Sequence, residues 1–155
     1  MAEQPYRENE ARPLPTWAEA RRRLEEAGTY WLATVRPDGR SHVMPVLAVW
    51  LDGALHVVAG DASRKARNLA RDAHRVITTS SQALDLVLEG DATLHRVAGI
   101  YAAKYGWHVT VRDGAFYAAG APTTGPPPYD LDKVTSTVVF GFGTDDSLGA
   151  VRWRF

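Results

Sequence analysis

The chain is predicted to be mainly β, an antiparallel Greek-key barrel of about six to eight strands with a few peripheral helices. Three observations predict it. Short runs rich in Val, Leu, Thr and aromatic residues alternate with period two. Turn signals such as PDGR at 37–40 and Asp52-Gly53 separate those runs, and helical spacing is confined to a few short stretches. At 155 residues there is room for one domain, which buries roughly 70% of its unfolded surface.

Taken in order, residues 1–14 are polar and carry Pro5 and Pro13, so an N-terminal arm is expected ahead of a single domain over 15–155. Thr16 with Glu19 has the capping-box pattern, Trp17, Ala20, Leu24 and Ala27 follow helical spacing, and Gly28 stands where a C-terminal cap belongs. Three strands follow as a meander: YWLATVR, then HVMPVLAVWL as one run, then ALHVVA. Ser63 is set to cap a helix reaching about Arg71. Beyond it come VITTS, LDLVLE and ATLHRV, with Gly90 as a bulge between the last two. Ala98–Tyr105 reads as a helix ended by Gly106, and HVTVR and AFYAA as a hairpin around Asp113 and Gly114. The stretch from Ala119 to Asp130 holds four prolines, which makes it a lid or a connector rather than a central strand. VTSTVVFGF and the tail AVRWRF supply the last strands.

Charge narrows the function. Eighteen basic and 18 acidic residues cancel, so no overall field gathers nucleic acid or an anionic membrane. Absent cysteine removes disulfides, thiolate metal sites and cysteine nucleophiles, and fits a reducing, cytoplasmic setting. The longest strongly apolar stretch, Val46–Leu51, is too short to span a bilayer. His42, His56, His74, His95 and His108 lack metal-binding spacing, and no GxSxG elbow is present, so neither a metal centre nor a serine hydrolase is expected.

Local charge is another matter, because Arg64, Lys65, Arg67, Arg71 and Arg75 fall within twelve residues. SRKARNL, Ser63–Leu69, follows a strand and opens a helix, where unpaired N–H groups, the helix dipole, a hydroxyl and cations converge. It reads either as a phosphate cradle or as an amphipathic helix with a solvated basic face.

WLATVRPDGRSHVMPV followed by SRKARNL resembles the pyridoxamine 5′-phosphate oxidase-like superfamily, including its branch dependent on the deazaflavin coenzyme F420. The similarity covers roughly residues 28–97, and the terminal RWRF is also similar to related members. The resemblance implies a split β-barrel homodimer with cofactors in grooves between the subunits. It also implies that Ser63, Arg64 and Lys65, with Asn68 next, hold the cofactor phosphate. His42, Val43, Met44, Pro45 and Val46 would then run beside the cofactor ring, Thr78 and Thr79 would offer hydroxyls, and Trp153 and Arg154 would flank the site. On residue type alone, His42 is more often just a half-exposed polar residue, the threonines are good strand formers, and Trp153 is an aromatic packed by a last strand.

Two departures bear on activity. The longer C-terminal region with the Arg and His pair that grips pyridoxal phosphate is missing, and Leu47 stands where relatives often carry Trp. The expectation is therefore an oxidoreductase using F420, with FMN as the alternative, that passes hydride to or from a small planar conjugated molecule. A non-catalytic flavin or haem carrier is the competing expectation.

Overall fold

The computed structural model describes residues 2–3, 12–60, 62–94, 98–112, 115–118, 127–145 and 147–155. Strand β1 (Ala2–Glu3) pairs with the C-terminal strand, so part of the expected arm belongs to the sheet; residues 4–11 lie outside the described residues. Helix α1 (Trp17–Glu26) starts as the sequence predicts, with Thr16 Oγ1 accepting from the Glu19 N–H at 3.2 Å. It turns Ala20 and Leu24 inward and closes on Ala27, one residue before the Gly28 expected to cap it.

Strands β2 (Tyr30–Val35) and β3 (Ser41–Val46) form the predicted hairpin, with Gly39 at a φ of +80° in its turn. The run 42–51 is not one strand. It divides at Leu47, because β3 pairs with β2 whereas β4 (Ala48–Leu51) pairs with β5 (Ala54–Gly60). Asp52 and Gly53, at φ 49° and 76°, supply the two left-handed positions of the β4–β5 turn.

Helix α2 (Arg64–Arg71) precedes β6 (His74–Ser81) and β7 (Leu84–Leu94). Two runs separated by a bulge at Gly90 were expected here, but β7 continues past Gly90. The bulge lies on the facing strand, where pairing steps from Ser136↔Gly90 to Val138↔Glu89 and leaves Thr137 extra. Gly90 marks a close approach instead: a Cβ there would sit 2.1 Å from the Thr135 carbonyl oxygen. Helix α3 (Ala98–Tyr105) ends at Gly106, at φ +63°, as the sequence indicates. The hairpin of β8 (Thr110–Arg112) and β9 (Ala115–Tyr117) is also present, its Asp113-Gly114 turn and residues 119–126 of the proline-rich stretch lying outside the described residues. Tyr129 and Asp130 already belong to β10 (Tyr129–Gly143), and β11 (Ala150–Arg154) follows it.

Among the described residues all pairings are antiparallel in one eleven-stranded sheet, of which β1, β8 and β9 are only two or three residues long. The path β3-β2-β6-β7-β10-β5-β4 curls so far that its two end strands are separated in sequence by Leu47 alone. This is the split-barrel architecture.

Alternation explains what the barrel encloses. Tyr30, Leu32, Ile77, Leu84, Leu86 and Leu88 point inward and are at most 1% exposed, while Trp31 between two of them stays 47% exposed. Strand β5 is buried at every position because its outer face carries a second cluster, Val49, Val58, Tyr101, Trp107 and Tyr129. Lys104 braces that side: its Nζ donates to Tyr30 Oη at 3.1 Å and to the Ala48 carbonyl at 3.3 Å, 5.2 Å from the Tyr30 ring centre. Among the described residues no helix is long and apolar enough to cross a membrane.

Candidate functional site

Strand β5 ends at Gly60, and the chain turns back there, with Ser63 N–H donating to the Gly60 carbonyl at 2.8 Å. Ser63 caps α2 through its Oγ, which accepts from the Ala66 N–H at 3.2 Å. Its hydroxyl proton remains available to a ligand oxygen. Arg64 projects into solvent from the first turn, whereas Lys65 is only 6% exposed. Among the described residues Lys65 has neither hydrogen bond nor ion pair, and burial holds its ammonium pKa below the ordinary lysine value. An ammonium ion in that state lacks a counter-charge.

Around the helix start, Arg36, Pro37, Asp38, Arg40, Arg64, Arg67 and Asn68 line a basin of about 380 Å³. Two nearby arginines are committed: Arg40 donates from Nε and Nη2 to Asp38 Oδ2 at 2.9 and 2.6 Å, and Arg71 donates to the Val35 and Arg36 carbonyls, each at 2.9 Å. Arg36, Arg64 and Arg67 have no carboxylate partner among the described residues. The net local field is positive.

Asn68 belongs to the scaffold of this basin. Only 3% exposed, it donates from Nδ2 to Thr34 Oγ1 at 3.0 Å, and Thr34 Oγ1 in turn donates to the His42 carbonyl at 3.4 Å. This relay fixes α2 against β2 and β3. Replacing Thr34 with Val leaves the buried Asn68 amide unpaired, and a stability loss of about 1–3 kcal/mol is expected. Urea unfolding checks it; a wild-type midpoint and slope would remove the relay from the scaffold.

His42 is half-buried on β3, its Nδ1 buried without a partner among the described residues. Burial first, then the charges of Arg36, Arg64 and Lys65, hold its pKa below the usual histidine range, so the imidazole is neutral near pH 7. Beyond it Val43 and Met44 are 52% and 42% exposed, and Pro45 is half-buried. Val46 differs: at 2% exposure its side chain belongs to the core, leaving only backbone toward a ligand. Pro45 stands opposite Trp31 on a strand that, among the described residues, pairs on one side only, which suits a residue without an N–H donor.

The remaining sequence candidates divide. Thr78, half-buried, sits opposite Trp31 on β6, two strands from β3. Thr79 is 3% exposed and its hydroxyl is engaged, donating to the Thr29 carbonyl at 2.9 Å. Trp153 is 4% exposed within the core, 5.5 Å from Trp17 and lying over Gly141, so its ring surface is already covered. Arg154 is exposed on β11, at the other end of the path β11-β10-β7-β6-β2-β3 from the α2 basin. Within one chain, then, Ser63, Arg64, Lys65, Asn68 and His42 converge, while Thr79, Trp153 and Arg154 do not join them. Sequence reasoning missed Thr34 and Arg36; Arg36 begins the PDGR turn and was legible there, but Thr34 looks like any other strand threonine.

A family profile described as Pyridoxamine 5′-phosphate oxidase matches residues 16–124. Solved structures with the same fold include an F420 reductase, 21% identical with a TM-score of 0.57, the match covering 81% of this chain and 98% of that one. A haem-binding protein from Mycobacterium smegmatis is also 21% identical, with a TM-score of 0.61, and the match covers 88% of this chain but 57% of that one. A protein related to general stress protein 26, of the pyridoxinephosphate oxidase family, from Clostridium acetobutylicum is 12% identical, with a TM-score of 0.61 and coverage of 89% and 93%. At such identities the likeness is one of fold. Among curated proteins none matches.

Proposed function

The chain belongs to the pyridoxamine 5′-phosphate oxidase family, and from that premise we propose that it is an F420-dependent oxidoreductase acting on a small planar conjugated substrate, with FMN as the alternative cofactor. One observation carries the reading: Lys65, buried and without a counter-charge among the described residues, beside the Ser63-capped start of α2. That is what a bound phosphate completes. The F420 reductase among the fold relatives, spanned almost end to end by this chain, favours F420 over FMN.

The residues present fit such a group. Ser63, Arg64 and Lys65 hold the phosphate, and Asn68 keeps the helix start in position through Thr34. When bound, the cofactor supplies the hydride-carrying ring. Val43 and Pro45 on one face of β3 offer apolar surface that excludes water, Met44 does so on the other, and a neutral His42 keeps its own charge out of the basin. Placement of the acceptor supplies most of what the protein adds to such a transfer.

Purified protein titrated separately with F420 and FMN tests the reading, followed by turnover of reduced F420 with planar acceptors. Micromolar binding of F420 with turnover is the expected result. Binding without turnover would make the chain a holder of a planar cofactor, and binding of neither would end the proposal.

A homodimer is part of the same reading. Trp31 and Val43 lie on the same outer face of adjacent strands, with Pro45 opposite Trp31, and are both more than 40% exposed, an apolar patch of the kind that a second copy covers. Light scattering at micromolar concentration is expected to give twice the chain mass, and Trp31→Glu to give a folded monomer. A wild-type monomer would refute it.

A further inference from the structure

At the end of β5 away from α2, a cleft of about 560 Å³ opens between α1, the β4–β5 turn and the bulged stretch of β10. Its walls are aromatic. Trp17 and Trp50 meet edge to face with ring centres 5.9 Å apart, and Phe155 tilts against Trp17 at 4.7 Å. Both tryptophans are packed against the core cluster, so their rings are held in place.

Polar groups define what such walls would receive. Arg21 and Glu25 on the rim are paired with each other at 3.5 Å, but Asp52 forms no ion pair among the described residues. Beneath them lies Ser136, 7% exposed, whose hydroxyl has no hydrogen-bond partner among the described residues. The register step at Thr137 explains its position, since Ser136 and Val139, three residues apart, are both turned inward.

Aromatic walls pack against a planar ring, an uncompensated carboxylate selects a cation, and a buried hydroxyl accepts from an N–H. We propose that this cleft binds a small aromatic ammonium ion, its ring among Trp17, Trp50 and Phe155 and its N–H groups toward Asp52 and Ser136. The inference is independent of any cofactor at α2.

Benzylammonium is the probe, and benzyl alcohol, with the same ring and no charge, is its comparison. Each is titrated into full-length protein carrying ¹⁵N-labelled tryptophan, with Trp50 assigned through Trp50→Phe and Trp17 through Trp17→Phe. The indole N–H signals of Trp17 and Trp50 are expected to shift at millimolar benzylammonium, with about fivefold or more weaker binding of the alcohol. Asp52→Asn, which asparagine tolerates at positive φ, is expected to bring the amine down to the alcohol's affinity. Ser136→Ala, which removes only a hydroxyl, is expected to weaken the amine about threefold or more. The proposal fails if amine and alcohol bind alike, if neither indole signal moves, or if either folded variant keeps wild-type affinity for the amine.

Discussion

Replacing Arg64 and Lys65 together with alanine is expected to weaken F420 or FMN binding by about a hundredfold or more, because each charge-assisted phosphate contact contributes about 1.5–3 kcal/mol. The same change is expected to leave the ligand-free protein at least as stable as wild type. Lys65 is buried without a counter-charge among the described residues, so its ammonium is desolvated at a cost that no carboxylate offsets. Losing affinity while keeping or gaining stability is the signature of a binding residue rather than a structural one. Thermal unfolding without ligand and equilibrium binding with it measure the two halves. A folded double variant with unchanged affinity would sink the cradle assignment, and one that binds poorly because it melts early would leave Lys65 a core residue.

Gly90→Ala is expected to cost about 2–3 kcal/mol, at the upper end for overpacking, and to lower Tm by about 5–10 °C. The added methyl meets the Thr135 carbonyl oxygen at 2.1 Å and its carbon at 2.9 Å, both backbone atoms that cannot swing aside. Relief requires β7 and β10 to part where β10 is already bulged. Gly39→Ala is the control. That glycine faces open space at a φ of +80°, so its penalty is backbone strain alone, about 1–2 kcal/mol. Equal losses in the two variants, read by denaturant unfolding, would mean that Gly90 is there for its backbone and not for clearance.

Much of the fold was legible because local chemistry decided it. Thr16 and Ser63 cap the helices they announce, and Asp52-Gly53 turns where its dipeptide says it should. The misreadings arose where a distant strand decides. Nothing between His42 and Leu51 says that its first half pairs with β2 and its second with β5, so the break at Leu47 is invisible to periodicity. Gly90 looked like a bulge because a strand glycine has two common uses, bulge or close approach, and only the Thr135 carbonyl opposite it tells them apart. The candidate site follows the same rule. Ser63, Arg64 and Lys65 are neighbours in sequence and were found together; Thr34 and Arg36 are brought to them by the sheet and were not. Trp153 was read by likeness to a tail motif, yet the core claims its ring through Trp17 and Gly141.

Strand β10, fifteen residues long, is paired with β5, β7, β9 and β11. During synthesis every one of its earlier partners leaves the ribosome first. The hairpins β2–β3, β4–β5 and β6–β7 can close on themselves, but β5 and β7 then each present an unpaired backbone edge with nothing to occupy it. The nascent chain thus passes through an interval, lasting until residue 143 emerges, in which these two edges are open to other chains. One late strand closes both of them at once, so its arrival divides an aggregation-prone intermediate from a barrel.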